Sequence, residues 1–167
     1  AIGEDEAGNL PSCYAYIVGF EYLKTKIKHP VTLGFELVDT RIKKTTHGHC
    51  GPNTFYNNNT YNYTNHGDSL GAAISSEGNS FEFFGKFQIS QKTNIEYSTK
   101  AITINDKNWS GHQLSSGKQV GLINMLGISW TKNNLNLNGN INYKDFSLDK
   151  TNIKYGYGVG FSAAIKF

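Results

Sequence analysis

Charge is scarce in this chain. Asp, Glu, Lys and Arg make up only 17% of its 167 residues, below the ~25–35% suited to a soluble surface. The net charge of +3 is small and scattered, which argues against a nucleic-acid partner. There are only two cysteines, Cys13 and Cys50. They show no CxxC or Cys/His spacing, so no zinc site is recognisable. No apolar run approaches the ~18 residues of a transmembrane helix. That excludes a helical span but not a span by strands, which cross with ~9–11 alternating residues. Residues 1–9 are acidic and polar and contain no apolar core of a signal peptide. The chain is therefore expected to be mature, or a piece of a longer one. Helical periodicity is nearly absent.

What fills the chain instead is period-two alternation. In the last fourteen residues, Tyr155, Tyr157, Val159, Phe161, Ala163, Ile165 and Phe167 share one side. Gly156, Gly158, Gly160, Ser162, Ala164 and Lys166 share the other. A strand that is apolar on one face, small or polar on the other, and ends on Phe resembles the closing strand of a bacterial outer-membrane β-barrel. Six earlier segments alternate similarly, over about residues 12–23, 31–40, 80–90, 94–105, 119–131 and 134–146. The sixth sets Leu135, Leu137, Ile141 and Tyr143 against Asn134, Asn136, Asn138, Asn140 and Asn142. Asparagine disfavours strands, so that face is expected to be wet, as a barrel lumen is. A soluble sheet with one solvated face has the same alternation. Strands of ~11–14 residues exceed its usual length.

The expected fold is therefore all-β: a transmembrane antiparallel β-barrel wall spanning residues 1–167. Connections alternate short (25–30, 91–93, 131–134) and long (about 41–79, 106–118, 147–153). Barrels show this asymmetry, with the long loops extracellular. A tight turn at 91–93 would pair Ile89 with Ile95 and make Lys86–Glu96 and Glu82–Lys100 diagonal neighbours. These four and Glu36 are expected to face the lumen. Asn124 fits badly, because it falls on the lipid side. Seven strands with the carboxyl end inside put the amino end outside. Single-chain bacterial barrels have even strand numbers, so this reads as the carboxyl-terminal part of a larger barrel.

Three stretches carry a more specific resemblance. Gly3-Glu4-Asp5-Glu6-Ala7-Gly8 precedes an aromatic strand, and Asp39-Thr40-Arg41 ends the next. A Tyr-rich loop then runs to Gly67-Asp68-Ser69-Leu70-Gly71 and Glu77-Gly78. This order resembles the carboxyl-terminal third of the capsule assembly protein Wzi family. The resemblance implies a barrel of about eighteen strands with a blocked lumen. It also implies a lectin that attaches capsular polysaccharide to the surface of the outer membrane. Implied partners are that polysaccharide, outer-membrane lipid and the barrel's amino-terminal strands, with no cofactor and no enzymatic activity.

The long loop 41–79 is the first candidate for sugar contact, through Tyr56, Tyr61, Tyr63, His66 and Asp68. Rings stack on the C–H faces of sugars, and polar groups bond their hydroxyls. The same residues also suit a mere aromatic rim around the barrel mouth. Trp109 with His112 is a second possible platform. Cys13 and Cys50 fall on the same oxidising side, so a disulfide is expected. His47-Gly48-His49 is better read as polar loop than as metal site. Glu4-Asp5-Glu6 reads as solvation or ion pairing before calcium binding, and as no catalytic carboxylate pair. Asn62-Tyr63-Thr64 and Asn108-Trp109-Ser110 match glycosylation sequons by chance. No nucleophile–base constellation appears. The alternatives are a diffusion porin, an outer-membrane enzyme, or a soluble β-sandwich binding module.

Overall fold

A computed structural model describes residues 2–3, 14–41, 64–65, 68–69, 74 and 76–165. Seven long strands form one continuous antiparallel sheet: β2 (Tyr14–Lys24), β3 (Val31–Asp39), β6 (Asn79–Ser90), β7 (Thr93–Ile104), β8 (Gln119–Lys132), β9 (Leu135–Lys144) and β10 (Gly156–Ile165). A two-residue strand, β1 (Ile2–Gly3), lies beside the start of β2. The pair β4 (Thr64–Asn65) and β5 (Asp68–Ser69) makes a separate small hairpin. Apart from this hairpin, inserted in the β3–β6 loop, each strand neighbours the next in sequence. The seven predicted strands are all present, within about two residues at most ends.

The two faces separate by parity, as alternation requires. The outward face carries Val18, Phe20, Phe35, Phe81, Leu126, Val159 and Phe161, all exposed. Val159 and Phe161 are 82% and 76% exposed, so no second layer covers them. A soluble sandwich would bury that face. Phe20, Phe35 and Phe81 stack across three strands with centroids 6.1 Å apart. Asn124 keeps the register: it sits outward between Thr99 and Tyr143.

The inward face carries the charged and amide side chains. Glu36 lies opposite Glu82, and Glu82 opposite Lys100. Lys100–Glu82 closes at 2.9 Å and Lys86–Glu96 at 2.6 Å. These pairs are directly opposite, not diagonal as expected. The reason is a bulge between Gln88 and Ser90 together with a turn one residue shorter than expected. Together they take Ile89 out of the ladder and give Ile95 to Phe87, with the turn at Gln91–Lys92. An extra residue on one strand moves the partners beyond it without exchanging faces when the shift is even. At the next turn Asn133 adopts φ 52°, a left-handed conformation that asparagine tolerates.

Candidate functional site

The long connections all leave the same end of the sheet, and their described parts fold together over the inward face. Isolated apolar residues in otherwise polar segments make this possible. Ile74, Phe146 and Leu148 are buried against Val38, Ile102 and Ile104 of the wall. Leu114, Ile123 and Ile153 pack around them. Each fully buried side chain of this kind contributes roughly 1.5–3 kcal/mol. The loops therefore form a packed cap rather than loose strings.

Several polar groups around the cap are held by specific partners. Thr40 is fully buried. Its backbone N–H donates to the Gly78 carbonyl at 2.8 Å, and its hydroxyl bonds the Gly78 carbonyl and N–H at 3.1 Å each. A side chain at Gly78 would place its Cβ 2.7 Å from the Thr103 carbonyl, so only glycine fits. Glu77 beside it has φ 55°, and its carbonyl accepts from the Asp106 N–H at 2.8 Å. The Arg41 guanidinium forks onto Asp39 at 2.9 and 2.7 Å. That bond to Asp39 raises the Arg41 pKa further above its ordinary value.

The loop after β7 is built around Asn105. Its side-chain oxygen accepts from the Trp109 N–H at 2.7 Å, and its amide donates to the Trp109 and Ser115 carbonyls at 2.8 and 3.0 Å. His112 is fully buried. Its Nε2 meets the Ser76 carbonyl at 2.8 Å, and its Nδ1 accepts from the Leu114 N–H at 3.2 Å. This pair of partners fixes the neutral ring with its proton on Nε2. Burial pushes the His112 pKa down, and Lys150 adds to this, against the raising effect of the Ser76 bond. Lys150 Nζ donates to the Ser110 and His112 carbonyls. Asp149 accepts from the Ser116 hydroxyl and from its N–H at 3.0 Å. Those bonds, the Ser116 hydroxyl first, hold its carboxyl down at about 2.

On this braced loop the Trp109 indole is only partly exposed, lying where a side chain on Gly111 would have to stand. Lys107, Asn108, Ser110, Ser116 and Asp149 stand exposed on the same two loops. An aromatic plane among hydrogen-bonding groups suits a sugar ring.

The chain matches the family model of the capsule assembly protein Wzi over residues 1–156. It belongs to that family. A solved structure of similar fold is described as Wzi, an outer membrane protein involved in group 1 capsule assembly in Escherichia coli and a carbohydrate-binding β-barrel. It is 24% identical, and the superposition covers 98% of this chain and 35% of that one, with a TM-score of 0.72. The chain thus spans about a third of that relative's length, as one continuous portion of barrel wall. Among curated proteins there is no match.

Within the family frame the predicted site residues divide. Trp109 lies on the loop after β7, partly exposed beside polar groups. His112 is enclosed and serves the cap, so pairing it with Trp109 as a platform is corrected. Tyr56, Tyr61, Tyr63, His66, Cys13, Cys50, Glu4, Asp5, Glu6, His47 and His49 lie outside the described residues. Asp68 pairs its backbone with Asn65 in the small hairpin. Among the described residues, no cluster of three or more His, Cys, Asp or Glu side chains could hold a metal ion. The cap residues Ile74, Phe146 and Leu148 escaped the sequence reading. Their signal was large apolar side chains stranded in polar loops.

Proposed function

We propose that the protein containing this chain lies in the outer membrane and holds capsular polysaccharide at the cell surface as a lectin, without breaking or making bonds in the sugar. The observation that carries this is the partly exposed Trp109, braced through Asn105 on a packed cap at the loop end. Loops held in advance lose little freedom on binding. One platform binds one sugar weakly, and a repeating polymer multiplies that by effective concentration. The tyrosines of loop 41–79 and Asp68 are further candidates for sugar contact by their chemistry. The exposed apolar belt meets outer-membrane lipid, and the outer edges of β2 and β10 are closed by strands of the same barrel. The test is binding of purified capsular polysaccharide to the full-length protein. Trp109→Ala should weaken it about five-fold, the worth of one aromatic contact. Unchanged affinity would remove the platform from the proposal.

One observation favours a second reading. Asn136, Asn138, Asn140 and Asn142 line the inward face of β9 beside Gly158, Gly160 and Ser162 of β10. A neutral, hydrogen-bonding wall also suits the wet lumen of a diffusion porin. Steady open-channel conductance of the intact protein in a planar bilayer would favour it over the lectin.

A further inference from the structure

The outward face has a trough at its loop end. Successive outward residues of β7 are Thr99, Ala101 and Thr103, all small. Phe81 and Phe83 of β6 flank them on one side, and Val120 and Leu122 of β8 on the other. At the head of this trough lies a cavity of about 440 Å³. Its apolar floor includes Leu37, Phe81, Ala101, Val120 and Leu122. Its polar rim is Asp39, Arg41, Asn79, Thr103 and Asp145.

The rim is fixed before anything binds. Arg41 is forked on Asp39, and the Asp145 carboxylate accepts from the Leu122 N–H at 2.6 Å. The fork uses only part of the five donors of the guanidinium. Among the described residues, two carboxylates and one guanidinium line the rim. Sugar hydroxyls can both donate to the carboxylates and accept from Arg41, Asn79 and Thr103. Below the rim, the floor can take only hydrocarbon. The cavity is continuous with the apolar belt, so its occupant reaches it from the bilayer.

We propose that this groove binds an acylated sugar lipid of the outer leaflet, the sugar at the Asp39–Arg41 rim and an acyl chain along β7. The assignment rests on the outer-membrane reading above, but not on polysaccharide binding by the cap. The groove opens on the outward face, whereas the Trp109 loop folds over the inward one.

The experiment is native mass spectrometry of the full-length protein released from its own outer membrane. The unaltered protein should carry an acylated sugar lipid. Ala101→Trp, which fills the trough, should lose most of it. Thr103→Val, which removes one rim hydroxyl and keeps the shape, should retain less than the unaltered protein. Heat-modifiable gel mobility shows whether each variant is folded. Should Ala101→Trp fail to fold, Thr103→Val carries the test. Trp109→Ala should keep the lipid while binding polysaccharide about five-fold more weakly, which separates this site from the lectin. Glycerophospholipid as the only retained lipid, or full retention by the folded variants, would overturn the assignment.

Discussion

The cap and the wall beneath it share the inward face but are held together differently. In the cap, apolar side chains are removed from solvent and backbones approach within hydrogen-bond distance, as Thr40 and Gly78 do. In the wall, Lys86 and Glu96 meet across the ladder with about half of each side chain exposed. Further along, Asn138 reaches Ser162 at 3.3 Å. Buried packing tolerates little change, while exposed polar pairs contribute little each. The same face thus holds a unit that demands particular residues and a lining that needs only polarity.

The sharpest way to break this contrast is Phe146→Ala. A buried aromatic truncated to alanine costs about 3–5 kcal/mol. Hydrogen exchange in the full-length protein should show the amides of residues 105–118 losing protection while β9 and β10 keep theirs. Equal loosening of both would mean that cap and wall are one cooperative unit.

Acid should separate them next. His112 is held neutral below its ordinary value of 6.5, chiefly by burial. The unfolded loop therefore takes up the proton first, and stability rises with pH across the window between the two values. The His112 contribution is full above 6.5 and is lost as pH falls through that window. Protonation would also remove the Nδ1 acceptor of the Leu114 N–H. Cap amides should exchange faster, relative to wall amides, at pH 5 than at pH 7. His112→Gln should flatten that dependence while starting from a weaker cap.

The smallest effect belongs to the wall. Lys86→Ala should shift stability by no more than about 1 kcal/mol, because the pair with Glu96 is half in solvent. Urea unfolding of the barrel in detergent measures this. A loss comparable to that of Phe146→Ala would erase the distinction.

The strands were legible because a period of two is imposed on every residue of a wall with unlike sides. Leu135 to Tyr143 shows it most plainly. Position along a partner strand was less legible. One bulged residue near Ile89 and a turn one residue shorter than expected together moved the Lys86 and Lys100 partners by two places, and nothing in the local alternation marks a bulge. The cap was hardest to see. Whether His112 faces water or the Ser76 carbonyl depends on contacts 36 residues apart, and loops carry no periodicity from which such pairing can be read. Trp109 could be named as a candidate because its chemistry, unlike its position, needs no partner within the chain.

The knot between Thr40 and Gly78 has an evolutionary consequence. It pins both ends of a 38-residue excursion at one point, through the hydroxyl and the backbone together. Outside its buried members such as Ile74, the segment between those ends can change length at little cost, since loop closure entropy grows only slowly with length. A wall built this way can vary in one loop without moving its strands.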